Sequence, residues 1–452
     1  MKSGLPILQP NSKSPFDGDL LNREQVANVL HSIVNAFSSG CVISLNGKWG
    51  TGKSTFLSMW EAYMQKNDYN IIHFNAWEND NISDPLLAII AEFEQIKGEN
   101  TQTWKNLVEN GSRLTLSILP SLIAAFLEHK TGLNIKELVE KGLDESVNII
   151  KQSISSYKEQ KNTIKAFKES LLQYINQCRS KSNKPVLFVI DELDRCNPTF
   201  AVKTLERIKH LFEIDNVVYI IAIDEQQLCH SIRGFFGSEQ FDARDYLRRF
   251  IKFQYDLPQG PIANVIDNLM GEFDFASIAN SGMTNTSLDD INIFTKFLCI
   301  GTTCSIRQIE RYLLYSKIAL TTFRGLTIDP LFAIFLVYLK LFDRDFFSEY
   351  VEYKVDEQEI INHFESHYNE GFFDSHTPSV LYGFYQCVAD LLKIRYPRDF
   401  HEEKIISSQG ELRFQIKKFD EEQFSRCLQL NKYYPNFNIV HERLNFTSNI
   451  NI

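Results

Sequence analysis

The clearest chemical signal in the sequence is a glycine-rich segment that begins at Gly47. It reads Gly47-Lys48-Trp49-Gly50-Thr51-Gly52-Lys53-Ser54, is followed by Thr55, and matches the phosphate-loop pattern G-x-x-x-x-G-K-[ST]. Such a loop needs glycine because its backbone N–H groups wrap around phosphate oxygens, where a Cβ would block the approach. We expect Lys53 to reach the β and γ phosphates of a nucleotide and Ser54 to ligate Mg²⁺. The alternative is a glycine turn that binds nothing.

Two adjacent carboxylates later in the chain could complete a nucleotide site. Asp191 and Glu192 come directly after the apolar run Leu187-Phe188-Val189-Ile190. We expect Asp191 to hold the magnesium ion through water. Glu192 is placed to orient or deprotonate the attacking water, which is the role that separates a hydrolase from a passive binder. An Asp-Glu pair that only caps a helix is the alternative.

Three further residues could act on a bound nucleotide. Asp224 follows the next apolar strand, where it could contact the γ-phosphate or the lytic water, or serve as an ordinary helix N-cap. Arg249 could neutralise transition-state charge in cis or in a neighbouring subunit's site, or belong to a surface salt-bridge face. Arg307 and Arg311 share a helix face and could form a lid that touches the phosphates, or pair with acidic residues.

The nucleotide's base, adenine or guanine, can be argued only from motifs that the sequence lacks. There is no [NT]-K-x-D guanine signature, and the segment from Asp191 to Asp194 has no glycine where a GTPase switch needs one. No H-E-x-x-H motif, nucleophile elbow or dinucleotide-binding glycine pattern competes with the phosphate loop. ATP with Mg²⁺ is therefore the predicted ligand pair.

The elements that must position these residues are those of an α/β protein. Apolar runs precede the phosphate loop and both acidic positions, and two more strands are predicted from Tyr69 to Phe74 and from Phe250 to Leu257. Continuous apolar runs separated by helices are typical of a parallel sheet that is buried on both faces. Residues 98–180 carry no strand signal, and an apolar stripe that ends with Phe167, Leu171 and Ile175 predicts amphipathic helices. We expect this stripe to face a core rather than a coiled-coil partner.

Charge is distributed unevenly along the 452 residues. The 47 Lys and Arg against 57 Asp and Glu give a net charge of −10, which argues against a protein that coats nucleic acid by charge alone. The segment from Asp343 to Asp374 has ten acidic and two basic residues, so it contributes −8 of that net charge. We interpret this acidic segment as a partner-docking region, with a solvated face as the alternative. The stretch from Lys158 to Lys184 is the one candidate nucleic-acid strip.

The location of the protein is predicted from its apolar segments and cysteines. The longest uncharged apolar stretch, Leu114 to Leu127, is shorter than the roughly 18 residues that span a bilayer. No apolar run follows the first lysine, so no secretory signal is expected. The eight cysteines show no C-x₂-C spacing, which favours buried free thiols in a reducing compartment. We expect a cytoplasmic protein without a transmembrane span.

Six motifs in this order resemble those of the KAP family of P-loop NTPases, a branch near the signal-transducing ATPases. The matching segments are Asp17 with Asp19-Leu20-Leu21-Asn22-Arg23, Gly47 to Ser54, Phe74-Asn75-Ala76-Trp77-Glu78, Asp191-Glu192-Leu193-Asp194-Arg195-Cys196, Tyr246 to Phe250, and Ser305 to Tyr312. The resemblance implies a sheet of strand order 5-1-4-3-2, ATP hydrolysis and a helical lid. Glu192 stands where the family has a second Asp, and Arg248 stands where it has Glu, which leaves the role of Arg249 open. Many family members carry transmembrane helices between strands two and three, where this sequence has the insert.

These observations predict a domain order and three candidate functions. The order is an NTPase core at 1–97 and 181–258, a helical insert at 98–180, a helical lid at 259–345 and an acidic, aromatic region at 346–452. The first function is an ATPase that couples hydrolysis to a conformational or assembly switch controlling a protein effector or accessory subunits, with a homo-oligomer as an option. The resemblance places such proteins in bacterial defence and phage exclusion, and in animal signalling scaffolds. The others are a nucleotide-dependent scaffold with negligible turnover and, less favoured, a nucleic-acid-stimulated motor.

Overall fold

The computed structural model describes residues 10–82, 84–96, 101–118, 149–179, 182–279, 288–301, 304–322 and 330–351. The chain forms two compact units, the first ending at Gln259 and the second beginning at Gly260. Most of the predicted acidic segment, residues 352–374, lies outside the described residues, and so does the C-terminal region beyond it.

The first unit is built on a five-stranded parallel sheet. Its strands are β1 (Cys41–Asn46), β2 (Ile71–Asn75), β3 (Val186–Asp191), β4 (Val217–Ile223) and β5 (Phe253–Asp256). They are ordered β2-β3-β4-β1-β5, which confirms the 5-1-4-3-2 order that the family resemblance implies.

Helices cover both faces of this sheet. Those of the first unit are α1 (Glu24–Ala36), α2 (Lys53–Lys66), α3 (Leu86–Glu92), α4 (Thr101–Ile118), α5 (Ile149–Cys178), α6 (Pro198–Arg207), α7 (Glu225–Phe236) and α8 (Ala243–Arg248). Side chains alternate across a strand, so Leu187 and Val189 of β3 pack in the core formed with α1 and α2. Phe188 and Ile190 pack in the opposite core, with α3 to α7.

The expectation of strands buried on both faces holds for the central strands and is wrong for β5. Every residue of β3 and β4 is buried. β5 has three exposed residues of four because, among the described strands, it lies at the end of the sheet next to β1. It also begins later than the predicted Phe250, because the amides of Phe250 and Ile251 both bond back to Leu247 O and close the end of α8.

The predicted helical insert packs on the sheet's core. In the described part of the insert, α4 and α5 pack against each other, and Phe167, Leu171 and Ile175 are fully buried in the core with the strands. The Tyr174 hydroxyl donates a hydrogen bond to Phe93 O over 2.7 Å. The described end of the stripe therefore faces the core, as expected. Its earlier part, from Ile135 to Val147, lies outside the described residues.

The regular elements among the described residues of the second unit are all helices. Its helices are α9 (Ile262–Glu272), α10 (Ala276–Ala279), α11 (Leu288–Gly301), α12 (Ile306–Thr322), α13 (Pro330–Phe342) and α14 (Arg344–Val351). Tyr312 of α12 is fully buried and meets Tyr338 of α13 edge to face. In neither unit does the described part of the chain contain a helix that is long and apolar enough to cross a membrane.

Candidate nucleotide-binding site

Polar residues from three strands meet at one edge of the sheet. The parallel register pairs Asn46 of β1 with Ile223 of β4, and Ile190 of β3 with Ile221 of β4. The carboxyl ends of these strands are therefore neighbours, and the phosphate loop, Asp191 and Asp224 follow or end them. The sequence-predicted loop and both acidic positions come together at the edge where open α/β sheets bind ligands.

The glycines of the loop take conformations that other residues rarely adopt. Gly50 and Gly52 have φ of 79° and 82°, in the left-handed region. A Cβ on Gly47 would lie 3.1 Å from the Thr51 hydroxyl oxygen, which itself donates to Lys48 O over 2.8 Å. The loop is thus a compact turn whose shape depends on glycine at these positions.

Helix α2 starts at the end of the loop with its first amides available. The N–H groups of its first turn, beginning at Lys53, have no intrahelical acceptors, as at any helix start, and no side chain caps the helix at Gly52. These amides and the positive end of the helix dipole form a site for an anion. Ser54 and Thr55 are both exposed beside them. The donors suit phosphate oxygens, and the Ser54 hydroxyl suits a phosphate-bound Mg²⁺.

A buried arginine holds the loop from behind. Arg23 is 2% exposed, and its guanidinium donates to Thr51 O over 2.7 Å and to Gly52 O over 3.0 Å. Its own amide bonds to the Asp19 carboxylate, and burial lowers its pKa to about 10, so it remains charged at neutral pH. Because the carbonyl oxygens of Thr51 and Gly52 accept hydrogen bonds from Arg23, the neighbouring backbone amides of the loop are oriented towards a ligand. The sequence pattern places Arg23 only in a lead-in motif and does not predict this contact.

Lys53 is buried and folds back on the loop. Its Nζ donates to Gly47 O over 2.5 Å and to Lys48 O over 3.4 Å. Burial lowers the pKa of Lys53, and the nearby carboxylates of Asp194, Asp224 and Asp191 oppose that shift. The lysine therefore lies among three acidic side chains at the loop, which favour its charged form.

Trp49 ties the loop to two neighbouring strand ends. Its indole Nε1 donates to Asp194 Oδ2 over 2.5 Å, and its backbone amide donates to Asp224 Oδ2 over 3.2 Å. The same Asp194 oxygen accepts the Asp224 amide over 3.0 Å. Asp194 is thus a functional candidate that sequence reasoning named only as part of a motif.

Asp224 also caps helix α7. Its Oδ1 accepts the amides of Gln226 and Gln227 over 3.2 and 3.3 Å. The carboxylate therefore makes helix-cap and loop contacts through both oxygens. A contact between Asp224 and the γ-phosphate or lytic water stays a prediction.

Both acidic residues after β3 are held by specific contacts. Asp191 is buried and its Oδ1 accepts the Glu192 amide over 2.8 Å. Glu192 has φ of 61°, an uncommon value for a residue with a side chain, and its Oε1 lies 2.6 Å from Arg195 Nη1. The two carboxylates thus have different partners, the Glu192 amide for Asp191 and the Arg195 guanidinium for Glu192.

The structure places Arg249 away from the phosphate loop of its own chain, and Arg307 belongs to the second unit. Arg249 is exposed at the end of α8, three residues before Lys252, whose amide bonds Val42 O at the start of β1. The phosphate loop follows the other end of β1, so the structure does not bring Arg249 to the loop of its own chain. Arg307 is exposed in the second unit, in the first turn of α12. The roles of both residues stay predictions.

One family model matches a large part of the chain. Residues 22–321 match the KAP family P-loop domain, which is more than half of the chain. The chain belongs to the KAP family. This membership confirms the resemblance to the family, and the glycine-rich segment lies within the matched residues.

Two solved structures are similar to the chain at low identity. CDC6P from Pyrobaculum aerophilum is 14% identical, with a TM-score of 0.31, over 67% of this chain and 63% of that one. The ORC2 protein from Aeropyrum pernix, solved as ADPNP-ADP complexes, is 12% identical, with a TM-score of 0.34, over 90% of this chain and 85% of that one. The match thus spans less than two thirds of the CDC6P chain. No curated protein matches the sequence.

Proposed function

We propose that this KAP protein binds ATP and hydrolyses it with Mg²⁺. The observation that carries the proposal is the convergence of free helix amides, Lys53 and the Asp191-Glu192 pair at one edge of the sheet. The amides and Lys53 suit the phosphates, and the two carboxylates suit a metal ion and a water molecule. ATP rather than GTP is proposed because the guanine signature is absent from the sequence.

Each residue has a defined part in the proposed reaction. The loop amides and Lys53 bind the β and γ phosphates, and Ser54 and Asp191 hold Mg²⁺, which would neutralise charge on the phosphates. A water oxygen bonds to the γ-phosphorus as the bond from that phosphorus to the β–γ bridging oxygen breaks. Glu192 accepts the proton of the water, so that ADP and inorganic phosphate are the products.

We further propose that hydrolysis controls a protein partner. A site whose loop is tied through Trp49 to two strand ends can couple its ligand to the rest of the domain. The acidic segment from Asp343 to Asp374 remains the proposed docking region, and bacterial defence remains the proposed setting. Deleting residues 352–374 should abolish capture of the partner while ATP hydrolysis persists. Unchanged capture would reduce the segment to a solvated face.

Phosphate release from the purified full chain tests the enzymatic proposal. We expect Mg²⁺-dependent turnover that Lys53→Ala abolishes through lost ATP binding, and that Glu192→Gln reduces at least about 100-fold with binding retained. Lys165→Ala is the matched control, because Lys165 is an exposed lysine on α5 paired with Glu169 at 3.8 Å. Turnover that survives both site variants would overturn the proposal.

One observation favours a second function, a nucleotide-dependent scaffold with negligible turnover. The Glu192 carboxylate already has a partner, Arg195, at 2.6 Å. The scaffold function predicts that wild type and Glu192→Gln bind ATP equally and release phosphate equally slowly. It also predicts that ATP alone, without turnover, suffices for partner capture.

A further inference from the structure

Arg195 forms a close ion pair with the proposed general base. A short 3₁₀ turn, Leu193–Arg195, follows β3, and the Arg195 amide bonds Glu192 O over 3.1 Å. This turn brings Arg195 Nη1 to 2.6 Å from Glu192 Oε1. The two side chains are 27% and 15% exposed, so the pair is screened by water much less than a surface pair is.

An exposed tryptophan also contacts the arginine. The Arg195 guanidinium lies over the ring of Trp77, 5.6 Å from its centroid. Trp77 follows β2, and its amide bonds the Asn75 side chain over 3.1 Å. The ring is 52% exposed, so its outer face is open to solvent.

The order of the strands shows on which side of β3 the Arg195–Glu192 ion pair lies. β2 lies on one side of β3, whereas β4 and then β1, which leads into the phosphate loop, lie on the other side. Arg195 over Trp77 therefore draws the Glu192 carboxylate towards β2. The Glu192 backbone is held by its amide bond to Asp191, so the side chain has to rotate for its carboxylate to turn towards the loop.

A base that is to receive a proton from water needs an oxygen within hydrogen-bond reach of that water. The oxygen that accepts the Arg195 guanidinium is engaged in a charge-assisted hydrogen bond, which is stronger than a neutral one. Turning Glu192 towards the γ-phosphate therefore requires this bond to break first.

We propose that Arg195 restrains Glu192 and thereby slows ATP hydrolysis by this protein. Arg195 is a positioning residue that acts through Glu192, and Trp77 holds it in place. The inference rests on the proposed function. It adds that removal of Arg195 accelerates ATP hydrolysis rather than slowing it. It also makes Trp77 the exposed point at which contact from outside could release the base.

Steady-state phosphate release from the full-length protein with ATP and Mg²⁺ tests the proposal. We expect Arg195→Ala to raise kcat about tenfold, the change that corresponds to ~1.4 kcal/mol in the barrier. KM should change less than about twofold. Arg195→Lys, which keeps a charge on a different head group, should fall between Arg195→Ala and wild type. Trp77→Ala should raise kcat by about two- to threefold.

Two further variants separate this role from a structural one. Arg113→Ala is the control, because Arg113 also forms a 2.7 Å ion pair, with Glu109, but on the exposed face of α4. It should leave kcat unchanged. The double variant Glu192→Gln/Arg195→Ala should be as slow as Glu192→Gln alone, because the gain operates through Glu192. A gain that persists in the double variant would overturn the proposal.

The outcomes distinguish this inference from the proposed function. If wild type turns over ATP and Arg195→Ala is equal or slower, the restraint is wrong and the ATPase stands. If both proteins bind ATP and neither releases phosphate faster than Lys53→Ala, the ATPase and the restraint both fall. If Arg195→Ala alone turns over, both hold, and wild type is a restrained enzyme.

Discussion

The indole Nε1 of Trp49 donates a hydrogen bond to Asp194 Oδ2 over 2.5 Å. The two residues are 145 positions apart in the chain, and the contact joins the phosphate loop to the turn after β3. Because Asp194 also accepts the Asp224 amide, one buried carboxylate oxygen links three strand ends. Several properties of the site should depend on this oxygen.

Replacing Trp49 by phenylalanine should weaken ATP binding. Trp49→Phe keeps an aromatic ring but removes the N–H, and a hydrogen bond to a charged group is worth ~1.5–3 kcal/mol. If about half of that energy orders the loop for ATP, the Kd rises roughly four- to twelvefold, as isothermal titration calorimetry would show. Trp104→Phe, a tryptophan change in the insert, is the control and should not alter the Kd. A Kd for Trp49→Phe within twofold of wild type would contradict this role.

Removing the Asp194 charge should make ATP binding more sensitive to alkaline pH. Burial lowers the pKa of Lys53, and Asp194 is the first of the carboxylates that raise it. Asp194→Asn therefore lowers the pKa of Lys53 further. The lysine then loses its proton at a lower pH than in wild type, and ATP affinity falls at that lower pH. ATP titrations between about pH 7 and pH 9.5 would show the shift. Identical pH profiles for the two proteins would exclude it.

Arg23 should matter for both stability and ligand binding. Arg23→Met preserves much of the side-chain volume but removes the donors to Thr51 O and Gly52 O. We expect a loss of ~2–3 kcal/mol in the free energy of unfolding and at least a tenfold rise in the Kd for ATP. Urea unfolding and calorimetry measure the two effects. Arg113→Ala is the control, and an unchanged Kd for Arg23→Met would show that the loop keeps its shape without the clamp.

The contact between His73 and Glu61 should stabilise the first unit in acid. His73 Nδ1 lies 2.7 Å from Glu61 Oε1, which joins β2 to α2, and the hydrogen bond to Glu61 raises the pKa of His73. Because the pKa of His73 is higher in the folded protein than in the unfolded chain, His73 stabilises the fold at pH values below its unfolded pKa of about 6.5. This stabilisation is lost as the pH rises through the folded pKa. The Tm difference between wild type and Glu61→Gln should thus be larger at about pH 6 than at pH 8.5. An equal difference at both values would contradict this assignment.

The insert should contribute to the stability of the core through Tyr174. Tyr174→Phe removes the hydroxyl that bonds Phe93 O and leaves that buried carbonyl without this donor. We expect the free energy of unfolding, measured with urea, to fall by ~1–2 kcal/mol and the ATP affinity to stay unchanged. Lys165→Ala, exposed on the same helix, should leave stability within about 0.5 kcal/mol. A stability of Tyr174→Phe equal to wild type would show that the insert is only loosely attached.

Much of the fold was predictable because the signals are local. Apolar runs such as Val186 to Ile190 and Val217 to Ile223 predict buried strands, since only a sheet covered on both faces accommodates them. The family resemblance then implied the strand order that the structure confirms. The exposed β5 was not predicted, because the position of a strand within a sheet depends on long-range pairing.

The sequence by itself determined the chemistry that the nucleotide site can carry. The glycines, Lys53 and Ser54 are adjacent in the chain, and the parallel sheet had to bring the ends of β1, β3 and β4 to one edge. Tertiary structure alone decided which other side chains reach them. Arg23 contacts Gly52 from 29 positions away, Asp194 reaches Trp49, and Arg249 lies beyond the start of β1. Such contacts depend on how helices and turns pack over distances that a linear pattern does not encode.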